Sequence, residues 1–186
     1  MTGYALTGSF CTHRESLEAL EKLLNTGCEV VPIISERTAS TDTRFGRAQK
    51  LKERLEELTG RRCVCTVEEA EKFGSAYPLD YMVVAPCTGN TLAKLACGIT
   101  DTSVTMAVKA HLRVSRPTLI CLASNDALSA NLKNISALLN RKSVYFVPLT
   151  QDSPEKKPHS LVADFSLLQK SYEAMREGVQ LRPLFK

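Results

Sequence analysis

A short polar turn, Pro86-Cys87-Thr88-Gly89-Asn90-Thr91, has the clearest chemical potential in this sequence. It follows an apolar run of strand length, Tyr81–Ala85, and precedes a stretch with helical spacing. Pro86 is expected to end the strand, and Asn90 or Thr91 to cap the helix. Gly89 and Asn90 tolerate unusual backbone angles. The turn therefore predicts free backbone N–H groups at a positive helix end, which can bind an anionic or polar ligand.

A second candidate site follows the first predicted strand, Gly3–Thr7. Gly8 is the only glycine of this turn, so the Gly-x-Gly-x-x-Gly signature of dinucleotide binding is missing. Ser35 stands at the end of the next strand, where an acidic residue would hold a ribose. A helix N-terminus with Ser9 and Thr12 can still hold one phosphate. The pattern favours a mononucleotide over a dinucleotide, and a helix cap without a ligand explains the same residues equally well.

Strands that alternate with helices must position these turns. The predicted strands are Gly3–Thr7, Cys28–Ile34, Arg62–Cys65, Tyr81–Ala85, Thr118–Ala123 and Val144–Val147. The predicted helices are 13–26, Arg44 or Gly46 to Thr59, Val67–Phe73, the helix after Thr91, Ser103–Val114, a helix capped by Ser124-Asn125-Asp126, and Leu161–Glu177. Gly74–Pro78 is predicted as a linker and 148–160 as an irregular loop.

This alternation predicts an α/β fold with three layers, α/β/α, and a Rossmann-like sheet of six parallel strands in the order 3-2-1-4-5-6. The 186 residues are expected to form a single domain, 1–186. In that order the turns Gly8–Thr12 and Pro86–Thr91 flank one crevice at the carboxyl ends of the first and fourth strands. We therefore expect the ligand site there.

Composition narrows the functional classes. A net charge of +4 is compatible with small anionic ligands and too weak to indicate nucleic-acid binding. No apolar run approaches the roughly 20 residues of a membrane helix, and the chain starts a strand almost at once, so we expect a cytoplasmic protein without a membrane segment. The seven cysteines are scattered, and Cys63 and Cys65 have no second pair, so no metal site is predicted.

At this point the chain resembles the flavin-dependent cysteine decarboxylase-like flavoproteins. The turn matches the Pro-Ala-Ser-Ala-Asn-Thr motif of that family at Pro86, Asn90 and Thr91. Five blocks in order, spanning nearly the whole chain, are similar to members from spore-forming bacteria. These blocks are Leu6-Thr7-Gly8-Ser9, Thr41-Asp42-Thr43-Arg44-Phe45-Gly46, the strand from Leu79 to Pro86, Ser124-Asn125-Asp126-Ala127-Leu128, and Gln151-Asp152 with Lys156-Lys157-Pro158.

The resemblance implies FMN in the crevice. Carried over by position, Gly8, Ser9 and Ser35 would approach the phosphate, although an ordinary strand-end hydroxyl explains Ser35 as well. The residues that would line the isoalloxazine are Pro86, Thr88, Gly89, Asn90 and Thr91. The resemblance identifies no catalytic acid or base in this chain.

The chain also departs from the family. Its histidines are His13, His111 and His159, so the decarboxylase histidine between the second and fourth strands is missing. The substrate clamp of the decarboxylases is replaced by Ser124–Asn134, and the chain has no tryptophan. These departures argue against decarboxylation. The resemblance to members from spore-forming bacteria implies an oxidoreductase subunit that helps convert dihydrodipicolinate to dipicolinate during sporulation. A stand-alone FMN-dependent decarboxylase or prenyltransferase and a non-catalytic assembly subunit are the alternatives.

A dicarboxylate substrate calls for cationic or amide contacts, because arginine binds carboxylates in a bidentate manner. Arg44, Asn125 and Asp126 are the candidates, although a surface salt bridge explains Arg44 and helix capping explains the other two. The resemblance further implies a partner, the A subunit of the dipicolinate-forming complex, and a homo-oligomer of trimers or their multiples. It places the protein in the mother cell of a sporulating bacterium.

Overall fold

A seven-stranded, mostly parallel sheet forms the centre of the structure, and helices pack on both of its faces. The computed structural model describes residues 1–74 and 76–186. The predicted linker Gly74–Pro78 contains Ser75, which lies outside the described residues. The three-layer, Rossmann-like α/β architecture expected from the sequence is confirmed.

The strands and helices have the following bounds. The strands are β1 Thr2–Leu6, β2 Val30–Ile34, β3 Tyr81–Thr88, β4 Thr118–Ser124, β5 Val144–Phe146, β6 Leu149–Thr150 and β7 Leu161–Ala163. The helices are α1 His13–Leu24, α2 Glu36–Ser40, α3 Ala48–Thr59, α4 Val67–Glu71, α5 Gly89–Cys97, α6 Ser103–Leu112, α7 Leu132–Leu139 and α8 Leu168–Arg176. Short 3₁₀ helices span Phe10–Thr12, Lys72–Gly74 and Phe165–Leu167.

The prediction of six parallel strands in the order 3-2-1-4-5-6 is wrong, because the sheet has seven strands of mixed direction. Its hydrogen-bonded path is β2-β1-β3-β4-β7-β6, and β5 pairs with β4 off this path. The first part of β4 pairs with β5 in parallel, and its last residues pair with β7 in the antiparallel direction. The antiparallel β6–β7 pair comes from segments that the sequence assigned to a loop and a helix.

The predicted third strand, Arg62–Cys65, shrinks to one parallel bridge between Val64 and Ile33. Val64 uses both of its backbone groups in this bridge, donating to Pro32 O at 2.9 Å and accepting the N–H of Ile34 at 2.9 Å. The next residue that would face β2 is Thr66, because backbone groups alternate in direction along a strand. Thr66 is the N-cap of α4 and its N–H donates to Glu69 at 3.3 Å, so the ladder stops there.

The closing helix is shorter than the predicted Leu161–Glu177. Its first residues form β7, and Asp164 then caps the following 3₁₀ turn by accepting the N–H of Ser166 at 3.1 Å. An aspartate that accepts a backbone N–H favours a helix start at its own position. The helical segment therefore begins after Asp164, and α8 continues to Arg176.

The buried core holds the sheet edge on which the candidate site lies. Every residue of β1 and β4 is buried, as expected for parallel strands covered on both faces. Leu20 and Leu23 of α1 are fully buried on one face, and Leu92 and Val104 from α5 and α6 are fully buried in the same cluster. Each such side chain contributes about 1.5–3 kcal/mol by leaving water. Within the described ranges, no helix has the length and apolarity needed to span a bilayer.

Candidate functional site

The structure brings the two predicted turns together in one crevice at the carboxyl ends of β1 and β3. Two adjoining cavities of about 490 and 450 Å³ share Gly8, Phe10, Thr88 and Asn90 in their walls. The sequence-predicted residues that line one or both cavities are Gly8, Ser9, Ser35, Arg44, Thr88, Gly89, Asn90, Thr91, Asn125 and Asp126. Pro86 is the exception, because it is buried inside β3 and is not among the described lining residues.

Pro86 does not end its strand, contrary to the expectation, because β3 continues to Thr88. The β3–β4 pairing shifts register between Val84 and Cys87, which leaves the proline, with no N–H to donate, in a bulge. Thr7 at the end of β1 stabilises this bulge. Its Oγ1 donates to the Pro86 carbonyl at 2.8 Å and accepts the N–H of Thr88 at 3.0 Å.

Helix α5 starts at the crevice with two free donors. Thr88 is its N-cap and accepts the N–H of Thr91 at 3.2 Å, so the expected cap at Asn90 or Thr91 is wrong. In the described part of the chain, the N–H group of Asn90 has no acceptor. The exposed side chain of Asn90 likewise bonds to no described residue. This helix end therefore offers donors to a ligand at the positive end of its dipole.

Gly89 is required by space rather than by its backbone angle, because it is not one of the glycines with positive φ. A Cβ at this position would lie 2.3 Å from Ser124 Oγ, 2.7 Å from Asn131 Nδ2 and 2.8 Å from Asp126 Oδ1. The start of α5 thus rests directly on a cluster of polar side chains that follow β4. Any side chain at position 89 would displace that cluster.

This cluster, Ser124, Asp126, Asn131 and Asn134, satisfies its own hydrogen bonds. Ser124 Oγ and Asn131 Nδ2, the latter at 2.9 Å, both donate to Asp126 Oδ1, and Asn134 Nδ2 donates to Asn131 Oδ1 at 2.9 Å. The hydrogen bonds from Ser124 and Asn131 hold the pKa of Asp126 below its ordinary value. Asp126 is therefore an ionised anchor of the cluster.

The segment after β4 differs from the expectation. Ser124-Asn125-Asp126 do not cap a helix, because residues 125–131 form turns and α7 starts at Leu132. The hydrogen bonds from Ser124 and Asn131 hold Asp126 within these turns. Asn125 is exposed on the crevice wall, and no described residue bonds to its side chain. Of this pair, Asn125 has its polar atoms available to a ligand.

The turn after β1 leaves several donors unused. Ser9 N–H donates to Thr7 O at 2.8 Å, while the N–H groups of Gly8, Phe10 and Cys11 have no acceptor among residues 1–74 and 76–186. A Cβ at Gly8 would meet only the Phe10 ring, at 3.5 Å, which is ordinary contact. The turn is therefore open to the crevice and is not packed against the rest of the chain.

His13, which has no predicted role at the site, supports this turn. Its Nε2 lies 2.8 Å from Thr7 O, so the ring donates there, and its ring packs edge-on against Phe10 at 5.2 Å between centroids. Burial lowers the pKa of His13, which keeps the imidazole neutral near pH 7. The only sequence signals for Thr7 and His13 are a polar residue at the end of a buried strand and a histidine at a helix start, and neither is specific.

Ser35 closes the far side of the crevice as the N-cap of α2. Its Oγ accepts the N–H of Thr38 at 3.3 Å and lies 2.8 Å from Thr38 Oγ1. Nearby, Lys94 and Asp101 form an ion pair at 2.8 Å that lowers the pKa of Asp101 through the lysine hydrogen bond. Arg37, exposed on the same wall, has no carboxylate partner in the described residues.

Arg44 lies at the tip of a tight turn that reaches the crevice. Thr43 and Gly46 exchange backbone hydrogen bonds at 3.0 and 3.1 Å, and the Arg44 guanidinium stacks over the Phe45 ring at 4.8 Å. The exposed Arg44 has no carboxylate within 4.0 Å among the residues described, so the surface salt bridge considered for it is not formed there. We name this segment, residues 42–47, the arginine turn.

The carboxylates that line the crevice are already engaged, Asp101 by Lys94, Asp126 by Ser124 and Asn131, and Glu36 by the N–H of Ser103 at 2.8 Å. Cys87 is fully buried, and burial raises the pKa of its thiol, so it stays protonated. Cys11 is exposed at the crevice wall without a described base beside it. In the part of the chain that is described, no three potential metal ligands converge. The site can bind and orient a ligand through donors, amides and arginine.

Comparisons with known proteins identify the family of this chain. The chain matches the protein family described as Flavoprotein over residues 2–166. The B subunit of dipicolinate synthase from Bacillus subtilis (strain 168) is 41% identical over 182 residues, which cover 98% of this chain and 91% of that protein. The crystal structure of the B subunit of dipicolinate synthase from Bacillus halodurans C is similar with a TM-score of 0.91 and 39% identity, covering 100% of this chain and 95% of the other. The FMN-dependent cysteine decarboxylase SpaF, 22% identical with a TM-score of 0.69 over 95% of each chain, shares the fold.

Proposed function

The chain belongs to the flavoprotein family, and on that premise we propose that it is the flavoprotein subunit of a dipicolinate synthase. In this role it takes part in the oxidation of dihydrodipicolinate to dipicolinate during sporulation. The substrate loses two electrons and two protons as its ring becomes aromatic. The 41% identity over nearly the whole chain to a dipicolinate synthase B subunit supports this function over decarboxylation.

One observation carries the cofactor assignment, namely the two sets of unused backbone donors that line one crevice. The turn after β1 contributes Gly8, Phe10 and Cys11, and the start of α5 contributes Asn90. Backbone N–H groups at a helix start bind phosphate and other polar oxygens well. The cavities, about 490 and 450 Å³, fall in the usual range of roughly 300–1,000 Å³ for cofactor sites. These residues fit FMN.

Within this proposal the two sides of the crevice have different tasks. Gly8, Ser9 and Ser35 would hold the phosphate. Thr88, Gly89, Asn90 and Thr91 would contact the isoalloxazine, and buried Pro86 shapes the strand that carries them. FMN, when bound, supplies the capacity to accept two electrons, and the chain supplies orientation and a shielded environment. The stand-alone flavin decarboxylase and the non-catalytic assembly subunit remain the alternatives that experiment must exclude.

The dicarboxylate is bound in the cavity of about 450 Å³ by residues with available polar groups. Arg44 can donate two hydrogen bonds to a carboxylate, and the Asn125 amide can donate a further one. Asp126, which the sequence grouped with them, acts instead as a positioning residue that holds the segment carrying Asn125. An ionised carboxylate facing a dianionic substrate would repel it, which is a further reason for that division.

The proposed complex needs a second kind of chain. We propose that the A subunit of dipicolinate synthase supplies the groups that move the ring protons, since no described side chain in this crevice is placed to do so. The single domain, 1–186, is proposed to assemble as a homo-oligomer of trimers or their multiples in the cytoplasm of the mother cell.

The direct test is reconstitution. The purified protein should be yellow and should release FMN on denaturation, which would exclude an assembly subunit with an empty crevice. Dipicolinate formation from dihydrodipicolinate, followed by ultraviolet absorbance, should be much faster with both proteins present than with the A subunit alone. Equal rates without this chain would contradict the proposal, and release of carbon dioxide from cysteine substrates would favour the decarboxylase instead.

Asn90→Ala tests the cofactor contact. Since the Asn90 side chain bonds to no described residue, the free energy of unfolding of the apoprotein should change by less than about 0.5 kcal/mol. Loss of an amide contact should weaken FMN binding by about 1 kcal/mol or more, measured by fluorescence titration. The matched control is Asn25→Ala, which changes an exposed asparagine at the C-terminal end of α1, outside both cavities of the crevice. Equal FMN affinity in both variants would move the flavin elsewhere.

A further inference from the structure

A third cavity lies next to the crevice but outside it, between α1 and α3. Its volume is about 320 Å³, and it is bounded by Leu17 of α1, by Ala48 and Leu51 of α3, and by the arginine turn. Phe10 and Phe45 belong to its wall and also to the wall of the crevice. This cavity, which we call the α1–α3 cavity, is thus separated from the crevice by two aromatic rings.

The charge of the α1–α3 cavity is one-sided. Arg14, Arg47, Lys50 and Arg54 line it, and no aspartate or glutamate is among its described lining residues. Arg54 is already paired with Glu21 at 2.7 Å. Arg14 approaches Glu18 at 3.6 Å, with both side chains largely exposed, so that pair is weak.

Arg47 and Lys50 are therefore the available cations. Neither has a carboxylate within 4.0 Å among the residues that the structure describes. Arg47 is the residue before α3, and Lys50 lies in its first turn. Asp42 accepts the N–H of Ala48 at 2.9 Å and so holds the backbone of the arginine turn against the start of this helix. Two exposed cations without a described partner, beside an apolar floor, form a site for a molecule with a flat apolar body and anionic groups.

His13 and Thr38, which also line the cavity, give a carboxylate no donor, because Nδ1 of His13 is an acceptor once Nε2 donates to Thr7 and Thr38 Oγ1 is bound to Ser35. The anionic groups of an occupant are therefore bound by the cations alone. The aromatic rings of Phe10 and Phe45 offer stacking surfaces, and offset or edge-on ring contacts contribute about 0.5–1.5 kcal/mol. A volume of 320 Å³ admits a single six-membered ring with its substituents.

We propose that the α1–α3 cavity binds a small aromatic carboxylate, with the carboxylate on Arg47 and Lys50 and the ring between Phe10, Phe45 and the aliphatic floor. The identity of that ligand as pyridine-2,6-dicarboxylate or its dihydro precursor rests on the proposed function, whereas its chemical class does not. The cavity is a second carboxylate site, distinct from the reacting position in the crevice. It holds the dicarboxylate one aromatic wall away from the flavin.

The test measures binding of dipicolinate to the FMN-loaded protein by calorimetry, without the A subunit and without turnover. The wild-type protein should bind dipicolinate at two sites, the crevice and the α1–α3 cavity. In the double variant Arg47→Gln/Lys50→Gln, the affinity of the α1–α3 site should fall at least tenfold, while the crevice site is retained. The uncharged diamide of dipicolinate should bind far more weakly than dipicolinate to the wild type. Inorganic phosphate, a compact anion without an aromatic ring, should also be a poor ligand.

The matched control is Lys142→Gln/Lys170→Gln, which removes two exposed cations outside this cavity. It should retain wild-type affinity, and both double variants should keep the visible spectrum of bound FMN. Equal affinity of Arg47→Gln/Lys50→Gln and the wild type, or tight binding of the diamide, would overturn the proposal. A crystal of the FMN-loaded protein soaked with dipicolinate should show the ring beside Phe45, and density only beside Gly89 would also overturn it.

The outcome is separable from that of the proposed function. If reconstitution fails to give dipicolinate while dipicolinate still binds and its binding depends on Arg47 and Lys50, the proposed function is wrong and the aromatic carboxylate site stands. If reconstitution succeeds but dipicolinate does not bind in this way, the second site is wrong and the function stands.

Discussion

The two sides of the crevice are built on opposite principles. On the β1 side, the turn from Gly8 to Cys11 leaves backbone donors without partners and leaves room beside Gly8. On the β3–β4 side, Ser124, Asp126, Asn131 and Asn134 bond to one another, and Gly89 packs against them. Polar groups that satisfy one another fix a shape, and polar groups that do not are available to a ligand.

The difference also has an energetic side. In a buried network, loss of one member leaves its partners unsatisfied, at a cost of about 1–3 kcal/mol for each group. An exposed N–H group without a protein partner is bound to water in the empty site and loses little when its neighbour changes. Substitutions on the β3–β4 side should therefore lower stability first, and substitutions on the β1 side should lower ligand affinity first.

Gly89→Val should have the largest effect. A Cβ already lies 2.3 Å from Ser124 Oγ, so two further methyl groups force the cluster apart. Overpacking of this kind costs about 1–3 kcal/mol, and we expect the upper end of that range. Thermal unfolding at fixed protein concentration measures it, and the flavin content of the purified variant should fall as well. A yellow variant of wild-type stability would mean that the cluster does not pack against α5 as described.

Asn131→Ala should come next. Asn131 is only 5% exposed, and its loss leaves Asn134 without its acceptor and Asp126 without one of its two side-chain donors. We expect a decrease of about 2 kcal/mol in the free energy of unfolding, measured with urea. Asn140→Ala, which removes one exposed bond to the Ser136 carbonyl, is the control and should cost well under 1 kcal/mol. Similar losses in the two variants would refute the distinction between the two sides.

Gly8→Ala should reverse the pattern. The new methyl group meets only the Phe10 ring at 3.5 Å, so the stability of the apoprotein should stay within about 0.5 kcal/mol of wild type. Because the methyl group occupies space in the crevice, FMN affinity should fall about tenfold in a fluorescence titration. Ser40→Ala, on an exposed residue outside both cavities, serves as the control. Unchanged FMN affinity would place the phosphate away from this turn.

The pH dependence of stability should also distinguish the two sides of the crevice, with a smaller effect than the substitutions. Burial lowers the pKa of His13 under the β1 turn, so the unfolded chain binds the proton more readily and stability falls as the pH drops below about 6.5. The pKa of Asp126 is lowered by its hydrogen bonds, so the β3–β4 side loses stability only below about pH 4.

Urea unfolding at pH 7.5 and pH 5.5 measures the first window. His111 is also buried with a lowered pKa and contributes to the same loss, so the variant His13→Gln isolates the share of the β1 turn. Between pH 7.5 and pH 5.5, the free energy of unfolding of His13→Gln should decrease by less than that of the wild type. An identical loss would show that His13 does not titrate with folding.

Much of the site was readable from the sequence because it depends on local order. The alternation of strands and helices predicts an α/β sheet, and the turns after Gly3–Thr7 and Tyr81–Ala85 must then meet at one sheet edge. The absence of a dinucleotide signature and the spacing from Pro86 to Thr91 further narrowed the ligand to a mononucleotide of the flavin type. The sheet and its shared edge need only sequence periodicity and the handedness of crossovers, whereas the flavin is implied by the resemblance of the motif to a known family.

Other features were settled by contacts between segments that are distant in the chain. The predicted strand at Arg62–Cys65 makes one bridge to β2, and β7 joins the sheet because the last residues of β4 still have an open edge. The requirement for glycine at position 89 comes from Ser124 and Asn131, more than thirty residues away. Thr7, at the end of the neighbouring strand β1, donates to the Pro86 carbonyl and so supports the bulge in β3. The sequence determined which residues reach the crevice, and the tertiary structure decided which of them bond to each other and which are left for a ligand, because hydrogen-bond satisfaction depends on partners that only folding brings together.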